Sequence, residues 1–258
     1  MLPGLCSVAL RHLDPAQVVA CAIAGGAAGI EWEARVHVPP GDWAKAARAA
    51  ELAAEAGLAV PSYGAYARAG LPDARQEFAS CLTSADALGA PLVRVWTASV
   101  EGLSRAERDD AVTVVAADLA DFCDRAADSG KTVSLEFHPG TFTEDAQSTL
   151  NLIDRVSRTN LRSHWQPDYG QTCDAAAASL GAMLPFLSHM HVFHWTKDHL
   201  RLPLDDGASY WKTLLKLASP ASPLPSGGRY AMLEFSPNDD AEQVVADLRT
   251  LCQILAAS

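Results

Sequence analysis

The chain has 258 residues, 49% hydrophobic and 20% charged, a length and balance that suit a soluble protein with a sizeable core. Its formal charge of −11 opposes non-specific binding to nucleic acid or to anionic membrane surfaces, without excluding a local basic pocket. Six cysteines (6, 21, 81, 123, 173 and 252) form no CxxC pair and sit mostly in apolar segments, which favours reduced thiols over a disulfide framework or zinc knuckle.

The start, MLPGLCSVALRHLDP, has no basic segment before its short apolar run, so no signal peptide is expected there. No apolar stretch is long enough to span a membrane, and a cytoplasmic protein is the expectation. Short β-type runs then alternate with alanine-rich helical runs along the whole chain. Strands are predicted at 5–10, 29–32, 58–63, 91–96, 132–137, 161–166, 187–194 and 230–235. Helices are predicted near 15–25, 42–56, 73–88, 104–129, 144–157, 174–183, 208–218 and 239–256. Ser104 with Glu107 forms a capping box, Gly57, Gly89 and Gly130 close helices, and Ser236-Pro237 opens the last one.

Eight strands alternating with eight helices imply an α/β fold, a single (β/α)8 TIM barrel over residues 1–258. The alternative, an open doubly wound sheet, lacks a GxGxxG after its first strand. No linker or domain boundary is visible, and SPASPLPSGG (219–228) reads as the one long loop.

Active sites of such barrels assemble at the C-terminal ends of the strands. The fifth strand ends in Glu136, with His138 two residues on; the sixth ends in His164, Gln166 and Asp168; the seventh carries His189 and His191; the eighth ends in Glu234. A carboxylate within SLEF or MLEF is costly to bury unless something pairs with it. Each has a bland explanation: a glutamate could pair with Arg94, Asp168 could cap a loop, and a strand-end histidine is often structural. Together, two glutamates, an aspartate and a histidine from four consecutive units make a hard, mostly oxygen site. Such a site suits one divalent ion, Mn, Mg or Co, with Zn also compatible.

The segments GIEW (29–32), VSLEFHPGT (133–141), WQPDYG (165–170), HMHVFHW (189–195) and LEFS (233–236) resemble those of the xylose-isomerase-like TIM barrels. That family includes sugar phosphate isomerases/epimerases, ketose 3-epimerases and hydroxypyruvate isomerase. The resemblance implies metal ligands at Glu136, Asp168, His191 and Glu234, with Glu136 and Glu234 also exchanging protons with substrate. It leaves His189 and His194 as supporting residues, and it makes a homodimer an expectation. The substrate shell departs from the sugar epimerases: Phe142 stands where they carry a glutamate, Gln171 where they carry a histidine, and Lys197 where they carry an arginine.

The implied chemistry is isomerisation or epimerisation of a sugar or small hydroxy-carbonyl compound through an enediolate. Lys197, His138, Arg94, Trp96 and Gln166 are candidate substrate contacts, with Trp32, Trp165 and Trp195 as further aromatic walls. The expected substrate is not phosphorylated, because Asp239 and Asp240 stand at the helix start after the last strand and oppose an anion there. Rival readings are an endonuclease-type phosphodiesterase, disfavoured by the acidic balance, a barrel that binds a sugar without turning it over, and a dehydratase or lyase using the same enediolate.

Overall fold

A computed structural model of the chain describes residues 1–219, 224 and 227–257. The strands in chain order are β1 (Leu2–Cys6), β2 (Gly29–Glu33), β3 (Tyr63–Ala69), β4 (Leu92–Thr97), β5 (Thr132–Glu136), β6 (Leu161–Trp165), β7 (Leu187–Val192), β8 (His194–Trp195), β9 (Arg201–Leu202) and β10 (Tyr230–Leu233). Eight of them close into a barrel in the order β1-β10-β7-β6-β5-β4-β3-β2, while β8 and β9 form a separate antiparallel hairpin. All barrel pairings are parallel. The expected (β/α)8 barrel is therefore the fold.

Helices α1 (Pro15–Gly25), α2 (Trp43–Glu55), α3 (Ala74–Leu88), α4 (Arg105–Asp128), α5 (Ala146–Val156), α6 (Cys173–Met183), α7 (Ala208–Ala218) and α8 (Ala241–Ala256) lie between and after the strands. Among the described residues none is long and apolar enough to cross a membrane. Their ends follow local chemistry. Ser104 and Glu107 form the anticipated capping box, and Asp14 with Gln17 forms another on α1. Gly89 caps α3 at φ 66°, a left-handed conformation that costs glycine nothing. On α2, Ala46, Ala49 and Ala53 are fully buried, so the helix turns its smallest side chains to the sheet and lies close to it. Between α3 and α4, Phe78 and Phe122 stack at 4.2 Å.

Several segments differ from the sequence-based expectation, among them the strand expected at 187–194, which ends at Val192 before His194–Trp195 join the β8–β9 hairpin. The first strand runs 2–6, and residues Ser7–Leu10 turn into a 3-10 helix instead of extending it. The third strand is Tyr63–Ala69, not 58–63. Pro61 cannot donate to a ladder, and the preceding stretch makes only an isolated bridge, Gly29 to Ala59. After β10, Pro237–Asp239 form a single 3-10 turn with Asn238 and Asp239 at φ 58° and 53°, and α8 starts separately with Asp240 as its cap. The long loop expected at 219–228 lies largely outside the described residues.

Candidate active site

The polar strand ends meet inside the mouth of the barrel. Glu136 closes β5, Glu234 follows β10 and His191 sits near the end of β7; all three are buried. One ligand-type atom from each lies within 4.8 Å of the others. His191 Nδ1 is 3.6 Å from Glu234 Oε2 and 2.8 Å from Gln166 Oε1. Gln166 is itself buried and completes a four-residue set from β5, β6, β7 and β10.

Asp168, expected in that set, is not part of it. It is exposed, and its side chain accepts from Tyr169 N at 2.7 Å within a turn. The alternation of side chains holds only while the strand lasts. β6 ends at Trp165 and Pro167 turns the chain outward, so the same-parity residue that still faces inward is Gln166. Lys197 is likewise exposed and outside the cavity lining, with its main chain packed on Gly170. Phe142 is buried in the core cluster. Gln171 folds back on the Asp168 turn, where its Oε1 accepts from Asp168 N at 3.3 Å. His194 starts the β8 strand, away from the metal-type cluster, and packs against Gly207.

Glu31, at the centre of GIEW, was given no role from sequence alone, yet it forms the floor of the site. Ser62 Oγ donates to Glu31 Oε2 at 2.5 Å, Arg94 Nε donates to Oε1 at 3.1 Å, and Cys6 Sγ donates to Oε1 at 3.6 Å. His164 Nε2 and His191 Nε2 stand 3.2 and 3.6 Å from its two oxygens. Burial would raise the Glu31 carboxyl, but the Arg94 guanidinium and the two histidines hold it well below the usual carboxylate range. Arg94, 2% exposed, also donates from Nη1 to Glu136, so one guanidinium joins two carboxylates. Gly64 makes room for it: a Cβ there would lie 2.5 Å from Arg94 Nη2 and 2.9 Å from Glu31 Oε1.

His164 is fixed by two hydroxyls, Ser134 Oγ at 2.8 Å and Ser188 Oγ at 2.9 Å from Nδ1, and burial lowers it to about 4. Ser188 reaches that ring because the β6–β7 register slips: Ser163 pairs with Leu187 but Trp165 with Met190. His189 is a structural residue, its Nδ1 accepting from Tyr230 N at 3.1 Å, and burial lowers it to about 3. His191 moves the other way. Against its burial, Glu234 and Glu31 raise it. Burial pushes Glu234 up to about 7, with His191 pulling against it.

Three buried carboxylates, Glu31, Glu136 and Glu234, face one buried guanidinium and the His191 imidazole, so acidic groups outnumber the fixed cation in a buried site. A divalent cation beside Glu136, His191 and Glu234 would cancel that excess, with the Gln166 amide oxygen as a neutral fourth donor. Carboxylate, imidazole and amide oxygen are suitable donors, so the residues fit such an ion. A second group, Cys6, Glu31 and His191, also comes within 4.8 Å. It fits less well, because the Glu31 oxygens already have donors and burial raises the Cys6 thiol well above its ordinary value.

Above this floor opens a cavity of ≈ 330 Å³. Arg94, Trp96, His138 and Gln166 line it, as do Glu136 and Glu234. His138 packs on Trp96 at 4.3 Å with the rings tilted 41° and holds Pro139 O at 2.8 Å from its Nδ1, which leaves Nε2 to face the cavity. Tyr169, three residues after Gln166, packs on Trp195 at 4.9 Å, and Trp195 packs on Phe235 at 5.4 Å. The β8–β9 hairpin places Trp195 there, with Arg201 over its ring at 5.0 Å. Sequence reasoning missed Tyr66, Arg11, Arg35 and Arg68, which also line the cavity, because they fall in loops or in the misplaced third strand. Trp32 and Trp165, by contrast, are fully buried core residues.

The search among curated proteins found no match. Solved structures with the same fold include a probable 3-DHS dehydratase, AsbF, from Bacillus anthracis (TM-score 0.71, 18% identity, covering 98% of this chain and 99% of that one). A D-allulose 3-epimerase from Methylomonas sp. aligns at TM-score 0.72 and 17% identity, over 99% of this chain and 98% of the other. The IOLI protein with a binding zinc atom aligns at TM-score 0.74 and 15% identity, over 100% and 99%. The family model described as xylose isomerase-like TIM barrel matches residues 19–220, and the chain belongs to that family.

Proposed function

We propose that this chain is a divalent-metal-dependent isomerase or epimerase that moves a proton α to the carbonyl of a sugar or small hydroxy-carbonyl compound. The observation that carries the reading is the convergence of Glu136, His191 and Glu234 within 4.8 Å at the floor of the cavity. A divalent ion bound there supplies charge stabilisation for a carbonyl oxygen, which makes the adjacent C–H more acidic. Two of the solved structures of the same fold carry names that point the same way, an epimerase and a zinc-binding protein.

The two glutamates are not equivalent. Glu136 is tied to the Arg94 guanidinium, whereas Glu234 has only the His191 imidazole beside it. Glu234, not held by the guanidinium, is the base assigned to take the proton from the substrate carbon. Glu136 comes from β5, separated from β10 by β6 and β7 in the barrel, and serves the other side of the bound substrate. Epimerisation follows when both act, and aldose–ketose isomerisation when Glu234 alone carries the proton between neighbouring carbons. His138, through its Nε2, orients a substrate hydroxyl, and Trp96 supplies an apolar wall.

The test is solvent-deuterium exchange into a panel of ketoses and hydroxy-carbonyl compounds with Mn added. Incorporation at the α carbon is expected, falling by about 10²–10⁴-fold in Glu234→Gln. Measurable binding with no exchange would reduce the protein to a ligand-binding barrel.

A further inference from the structure

The barrel mouth is divided by charge. Arg11 follows β1, Arg35 follows β2, Arg68 lies in β3 and Arg94 in β4, so four consecutive strands each bring an arginine to one side of the same cavity. Arg94 is spent on Glu31 and Glu136. The other three are not. Among the described residues, none of Arg11, Arg35 and Arg68 has a carboxylate oxygen within the 4.0 Å of an ion pair, in a chain with 31 acidic residues. Glu77 feels the charges of Arg35 and Arg68 without contacting either.

Aromatic rings hold these guanidinium groups in place instead. Arg11 Nη2 donates to the Tyr66 hydroxyl at 3.2 Å, Arg35 lies over the Tyr66 ring at 4.1 Å, and Arg68 lies over the Trp96 ring at 4.8 Å. Stacking on a ring face leaves the N–H edges of a guanidinium free and reduces the freedom it loses on binding. Three held cations, none with a carboxylate at ion-pair distance among the described residues although Glu77 shares a cavity with Arg35 and Arg68, suit an oxyanion.

We propose that Arg11, Arg35 and Arg68 bind a carboxylate or phosphate group carried by the substrate. The inference rests on the catalytic reading above and deepens it: the substrate is an anionic hydroxy-carbonyl compound. Its charged end lies toward β1–β3 and its carbonyl toward Glu136, His191 and Glu234. A phosphate here would replace the expectation of a non-phosphorylated substrate, which rested on Asp239 and Asp240, whereas a carboxylate is compatible with it. Asp239 is engaged by Arg201, and Asp240 accepts from Gln243 N as the cap of α8, so neither speaks to the β1–β3 side of the cavity.

Calorimetric titration of the metal-loaded protein with inorganic phosphate and, separately, with D-glycerate tests this. Both titrations are repeated on the double variant Arg35→Gln/Arg68→Gln. At least one anion is expected to bind, with affinity falling tenfold or more in the variant, and the stronger of the two identifies phosphate or carboxylate as the natural group. Arg35 is exposed and Arg68 half-buried, so the variant retains the fold, which its unchanged thermal midpoint and metal content will report. Failure of both anions to bind, or equal binding by parent and variant, overturns the proposal. Metal content and exchange activity are read on the same samples, so loss of the catalytic reading with anion binding intact is distinguishable from the reverse.

Discussion

The two sides of the barrel mouth solve opposite electrostatic problems. On the β5–β10 side, carboxylates crowd a buried floor and outnumber the guanidinium that faces them. On the β1–β3 side, guanidinium groups stand at a partly open rim, held by the Tyr66 and Trp96 rings and the Tyr66 hydroxyl, with no carboxylate at ion-pair distance among the described residues. A buried excess of charge is costly and must be met from within or by a bound ion, whereas a rim charge is solvated and can wait for a ligand. On the proposed reading the difference gives the cavity a direction, with a cation held at one end and an anion at the other. Arg94 and Glu31 sit where the two sides meet.

Breaking that junction has the largest expected effect. Arg94→Gln leaves Glu31 and Glu136 buried without their guanidinium, and denaturant unfolding of chelator-treated protein should show a loss of about 3–5 kcal/mol. A loss near zero would mean that the floor is neutralised by other means. Gly64→Ala probes the same junction more gently. The added methyl must displace Arg94 Nη2 or Glu31 Oε1, an overpacking cost of about 1–3 kcal/mol, and unchanged stability would show that the guanidinium is free to move.

Much of this was legible in the sequence, and the failures have physical causes. The eight helices were readable because alanine-rich faces, caps and glycine stops are local signals, as at Ser104, Gly89 and the α1 run. Glu136, His191 and Glu234 were readable because a charge or imidazole late in an apolar strand needs a reason. Asp168 stands apart from the Glu136–His191–Glu234 cluster because side-chain alternation does not extend past Trp165, where β6 ends. Glu31 passed without a role because its partners, Cys6, Ser62, Arg94 and His164, are distant in the chain and meet only through barrel closure. The arginine rim stayed hidden for a related reason. Arg68 lies in a strand rich in alanine and glycine that carries little β-propensity, and a net acidic composition masks a local cationic face.

The central claim is that the acidic floor holds a divalent cation through Glu136, His191 and Glu234. Elemental analysis of purified protein after reconstitution with Mn, Co or Zn and removal of excess metal measures it directly, alongside Glu136→Gln and His191→Ala. The account predicts one ion per chain in the parent protein and a loss of most of it in both variants. Equal metal content in all three proteins, or no ion retained by the parent, would contradict it.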